Sequence, residues 1–270
     1  MTTSHGALCT DFYVNQKIAL KLDLPTGRET VLHMFDRVRK ELPEMKRFKR
    51  YNGELALESV GGGHGVGGAP SHGAGGGRQG GSFDGDYCWM AMRKTSIRSG
   101  WVNPASLATA YKLHRLILDI APYYLSISPI DVDYLELVFG FDIQAGMNRN
   151  EVVLEALLAQ SPLASLIDTE REFVLDAQPF LGFSLSRRCD LQAFVEIKTR
   201  TAAAEIATGH YEDEPISVYL TARRHGPLTT MEEFGETFGM LAGHIERLAE
   251  DRVIPYVVMP IREAILSYPG

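Results

Sequence analysis

The sequence predicts an α+β protein made of two diverged copies of one module, with a glycine-rich insertion in the first copy. Three observations point there. Apolar residues recur with period two in some segments and with helical spacing in others. Those segments follow one another in the same order in both halves of the 270-residue chain. Residues 61–86 hold about half of its 26 glycines.

The first half opens with a strand. Phe12, Val14, Ile18, Leu20, Leu22 and Leu24 share one phase, and Tyr13, Asn15, Lys17, Lys21 and Asp23 share the other. One face is therefore buried and the other polar. Arg28–Leu42 switches to helical spacing, with Val31, Leu32, Phe35 and Val38 along one side and Pro43 as its stop. Lys46–Glu58 reads as strand with a turn at Asn52-Gly53. Residues 61–86 are too rich in glycine and too poor in apolar side chains to pack, so a flexible loop is expected there. Order returns with Tyr87–Met92, a strand apolar on both faces. Asn103-Pro104 has the residues of a helix start. Leu107, Tyr111, His114, Ile117 and Leu118 continue the helix, and Tyr123–Ser128 suits a short edge strand.

The second half repeats this order. Leu135, Leu137, Phe139, Phe141 and Ile143 form an apolar strand face, and Asn148–Ile167 is helical with a break at Pro162. Strands are expected at Phe173–Leu185, Leu191–Ile197 and Ile216–Leu220. Thr230 and Glu233 have the spacing of a capping box for a helix to about Asp251. Val253–Met259 reads as strand and Pro260–Tyr268 as a terminal helix.

At an offset of 130, Trp89 meets Tyr219, Arg93 meets Arg223, Lys94 meets Arg224, His114 meets His244 and Leu118 meets Leu248. Each copy reads β-α-β-β-α-β, an order that resembles the ferredoxin-like split βαβ arrangement: antiparallel sheets with helices on one face. The expected modules are 1–130, carrying the loop, and 131–270, carrying an extra hairpin. The fold resemblance says little of function, because function lives in sites.

Composition narrows the function. The formal net charge of −7 gives no global pull toward nucleic acid or anionic membrane. Cys9, Cys88 and Cys189 form no C-x-x-C pair, so neither a disulfide framework nor a zinc site is expected. No basic leader followed by an apolar run opens the chain, and no run reaches a membrane span, so a cytoplasmic protein is expected. The glycine run Gly75–Ser82 lacks the lysine of a phosphate-binding loop. His64 and His72 lack a fixed partner ligand, and His114 and His244 suit helix packing. Asp131, Asp133, Glu136 and Asp142 do not all share a face. No metal or cofactor is implied, and no nucleophile motif occurs.

The basic groups at strand ends stand out: Arg93, Lys94 and Arg98 in the first copy, and Arg223 and Arg224 in the second, with Lys198 and Arg200 near them. Related by a pseudo-twofold, they can form one site for a small anion. The expectation is a non-catalytic binding or protein-interaction module. The alternatives are an enzyme with its site at the junction of the copies, less favoured an RNA-binding protein, and self-association through a sheet edge.

Overall fold

A computed structural model describes residues 4–25, 27–51, 53–59, 86–168 and 171–268. The expected glycine-rich loop, with His64 and His72, lies outside the described residues apart from Asp86.

Strand β1 (Asp11–Leu20) follows the period-two pattern, with Phe12, Val14, Ile18 and Leu20 buried in the core. After helix α1 (Arg28–Glu41), β2 (Met45–Tyr51) and β3 (Glu54–Ser59) form a hairpin whose turn includes Gly53 at φ 83°. That left-handed conformation explains a glycine there. Strands β4 (Tyr87–Arg93) and β5 (Ser96–Val102) form a second hairpin, followed by α2 (Leu107–Tyr124). The second half runs β6 (Val132–Ala145), α3 (Arg149–Val153), β7 (Phe180–Ser184), β8 (Leu191–Lys198), α4 (Ala203–Thr208), β9 (Glu214–His225), α5 (Glu232–Leu248) and α6 (Met259–Ser267).

The nine strands form one sheet in the order β2-β3-β4-β5-β1-β6-β9-β8-β7, antiparallel at every pairing. Two separate antiparallel sheets of ferredoxin-like form were expected; the nine strands instead share one. The halves are fused along β1 and β6, which pair from Asp11↔Asp142 to Leu20↔Val132. Fusion gives the outward N–H and C=O groups of both strands a partner. Outward from this seam the order is β1-β5-β4-β3 on one side and β6-β9-β8-β7 on the other. Helix α2 packs on β1 and β5, and α5 packs on β6 and β9. The helices meet where Tyr111 Oη donates to Glu246 Oε1 at 2.8 Å. One buried apolar cluster spans both halves between sheet and helices.

Several expected elements differ. Strand β5 was not foreseen: only Ile97 and Trp101 on it are large and apolar, so its alternation is faint. Helix α2 is capped by Ser106, whose Oγ accepts from Thr109 N. Asn103, at φ 50°, instead ties β1 by accepting from Phe12 N and donating to Asp11. Tyr123–Ser128 is the end of α2 and the chain after it. Val253–Met259 is helical, part of a wide π-type stretch (Ala249–Val258) that joins α5 to α6. Its β-branched residues suggested a strand, but burial of Val253 and Val258 in the core decides for a helix. Of Phe173–Leu185 only β7 joins the ladder. Before it, Asn148 and Asn150 side chains bond the backbone at Val174, Leu175 and Ala177, doing the work of a strand partner.

Beneath that segment Arg149 is fully buried. It donates to the carbonyls of Ala145, Thr199 and Glu212 and forks onto Glu205 at 2.8 and 3.1 Å. The start of α3 is thereby locked to the chain around α4.

Candidate functional site: the helix-free face of the sheet

Helices cover one side of the sheet, so the other phase of each strand builds a second face. Cross-strand register makes rows on it. One row runs Ala91, Arg98, Lys17, Glu136, Arg223, Gln192 across β4, β5, β1, β6, β9 and β8. The next runs Trp89, Gly100, Asn15, Val138, Thr221, Phe194, Gly182 and reaches β7. A third contains Val102, Tyr13, Gly140 and Tyr219.

Three glycines on this face each sit opposite an aromatic ring. A Cβ at Gly140 would lie 1.9 Å from the Tyr13 ring, one at Gly100 2.4 Å from Trp89, and one at Gly182 2.8 Å from Phe194. The rings lie across the neighbouring strand and cover its backbone. Tyr13, Trp89 and Tyr219 are buried, although no helix among the described residues covers them, and the close fit over glycine contributes to that burial.

Charges fill the space between the rings. Arg98 is buried, paired with Glu54 and 5.8 Å from the Trp89 ring. Arg93 reaches the other Glu54 oxygen at 3.3 Å. Arg223 donates twice to Glu136 Oε2, at 2.8 and 2.6 Å, and its guanidinium lies 4.4 Å from the Tyr134 ring. Lys17 Nζ donates to Tyr134 Oη at 2.5 Å. A second network joins Tyr13 Oη and Ser217 Oγ to Asp142, and Arg200 to Ser217 and Tyr219.

At the centre, beside the β1–β6 seam, is a cavity of about 60 Å³ lined by Asn15, Lys17, Trp89, Arg93, Arg98 and Glu136, among others. The Asn15 Oδ1 atom is buried with no hydrogen-bond partner. An orphaned buried acceptor is costly, and it marks a place where a donor would be stabilised. A larger hollow of about 650 Å³ lies by α1, but it is open and its Arg37 and Arg39 are surface ion pairs with Glu41 and Asp36.

Of the residues expected at an anion site, Arg93 and Arg98 line this cavity, and Arg223 reaches it through Glu136. Lys94 lies outside it, exposed and paired with Asp23 at 3.0 Å. Arg224 belongs to the opposite face of β9 and caps the carbonyls of Gly226 and Pro227. Lys198 pairs with Glu196. Lys17, Asn15 and Glu54 were not expected there. Their signal was the polar phase of β1 and β3, which reads as a solvent face when strand neighbours are unknown.

The two helix histidines are not equivalent. His114 is fully buried under the sheet, with Nδ1 2.8 Å from Ser99 Oγ, and burial pushes its pKa down to about 3. His244 is on the helix surface beside Arg247. Equivalent helices α2 and α5 begin at Leu107 and Glu232, 125 apart rather than 130, so His114 matches Gly239. Likewise Trp89 is on β4 while Tyr219 is on β9, the counterpart of β5.

Burial pushes the thiols of Cys9 and Cys88 up to about 12, so both stay protonated at neutral pH. Among the described residues no cluster of histidine, cysteine and carboxylate could hold a metal, and no described helix is long and apolar enough to cross a membrane. No protein-family model matches the chain, and no curated protein matches it.

Proposed function

We propose that this chain is a binding protein without catalysis, and that it holds a small anion at the centre of the helix-free face, where its two halves meet. The carrying observation is the composition of the central cavity: Lys17, Arg93 and Arg98 line it with Glu136, Glu54 sits behind the two arginines, and the Asn15 amide oxygen is buried without a partner among the described residues. Cations held in a partly dry site attract an anion far more strongly than the same charges in water. The cavity has room for a group of a few heavy atoms. The amide oxygen favours an anion that also carries a hydroxyl or amino donor.

The mirrored strand order supports reading the halves, 1–130 and 131–270, as copies of one ancestral unit, with the ligand at their pseudo-twofold junction. The same location is what the enzyme reading requires. A nucleophile in the cavity would favour that reading, and the buried Cys88 thiol lies on the opposite face of β4. RNA is disfavoured, because the aromatic rings of the face are buried over glycines and offer no platform for bases.

The test is thermal unfolding with lactate, glycine or inorganic phosphate at millimolar concentration. The unfolding midpoint should rise with at least one probe, and Lys17→Gln with Arg93→Gln should abolish the rise while leaving the ligand-free midpoint close to native. Equal response of native protein and variant would place any bound anion elsewhere. No response from the native protein would sink the anion reading.

A further inference from the structure

The two edges of the sheet are built in opposite ways. Edge strand β2 carries Lys46, Arg47, Lys49 and Arg50 within seven residues. Repeated cations of this kind keep a second strand from pairing with an edge. Edge strand β7, Phe180-Leu181-Gly182-Phe183-Ser184, carries no charge. Phe180 is 62% and Leu181 64% exposed. An apolar, uncharged edge on a protein whose other edge is guarded invites a specific occupant.

We infer that the occupant is β7 of a second copy of this chain, paired antiparallel about a twofold axis at Gly182. Two features of the strand fit that arrangement. The first is hydrogen-bond parity. Leu185 N donates to Leu191 O, and Ile197 N donates to Pro179 O, so the odd-numbered residues of β7 face β8. Phe180, Gly182 and Ser184 then turn their N–H and C=O groups outward. An antiparallel pairing centred on Gly182 sets Phe180 opposite Ser184 and Gly182 opposite itself, so every outward group meets an outward group.

The second is packing. Leu181 meets Phe183 across the axis on the helix side, which covers apolar surface that β7 leaves open. Because β2 is guarded, pairing ends at a dimer and does not propagate into a filament.

The experiment is sedimentation velocity of the full chain across a hundredfold range of concentration, at low and high salt. The expected species has twice the 29.9 kDa chain mass. Leu181→Lys should return it to monomer. Phe180→Lys should weaken dimerisation on the order of tenfold or more. Both sites are exposed, and an unchanged circular dichroism spectrum confirms that the variants fold. A chain that stays monomeric throughout overturns the inference. So does a dimer indifferent to Leu181→Lys, or assembly beyond the dimer.

Discussion

His114 shows how a single residue couples packing to pH. Its ring is fully buried, with Nδ1 2.8 Å from Ser99 Oγ, and a hydrogen bond to the Val14 backbone offsets only part of the cost of burying a charged ring. Burial therefore lowers the folded pKa to about 3 from the 6.5 of a free histidine. Between those values the unfolded chain binds the proton and the folded one does not. Stability from this residue is thus complete above pH 6.5 and is lost as pH falls toward 3, at up to about 1.4 kcal/mol per pH unit. His114→Gln should flatten that slope in urea unfolding measured from pH 7 to pH 4. An unchanged slope would show that other groups set the acid limit. Arg149 makes a different single-residue case. Arg149→Ala removes a buried donor shared by Glu205 and three carbonyls and leaves Glu205 without its cation, so a loss of roughly 3–5 kcal/mol is expected in chemical denaturation.

At the scale of elements, glycines divide into two kinds that the sequence does not distinguish. On β6, Gly140 leaves room for the Tyr13 ring, and Gly140→Ala should destabilise by about 1–3 kcal/mol or more because the ring must move. On α5, Gly235, Gly239 and Gly243 have open space where a Cβ would be. Alanine at any of these three should stabilise by roughly 0.5–1 kcal/mol through helix propensity. Melting midpoints of the four variants would read both signs, and a destabilising Gly235→Ala would contradict the open-space argument. The helix at Val253–Met259 carries a related lesson. Local preference favoured a strand, but the buried face of a long helical segment outweighed it.

For the whole molecule, the β1–β6 pairing and the shared core make the halves depend on each other. One cooperative unfolding transition is expected by calorimetry. Two separated transitions would mean that each half is stable alone. The same seam brings together the cavity proposed to hold an anion, since Lys17 and Glu136 come from the two paired strands and neither half brings both. On the proposed reading, the overall charge of −7 disfavours a long anionic polymer and leaves a small ligand.

The alternation of Phe12–Leu20 and of Leu135–Ile143, and the helical spacing of Arg28–Leu42 and of the residues around Leu107, were readable without coordinates. Burial of one face is a local demand, and it imprints its period on the residues. So was the α+β class. Strand β5 was not readable, because Ser96, Arg98 and Gly100 are tolerated only by neighbours that cover them. Nor was the fate of Lys94, which falls in the turn after β4, or of Arg224, one residue from Arg223, since a step of one reverses the side of a strand. Which strands become neighbours depends on contacts between residues over a hundred positions apart. The tertiary structure alone decided that the halves join into one sheet, that Lys17 and Asn15 line one cavity with Arg93 and Arg98, and that one edge carries repeated cations while the other carries none.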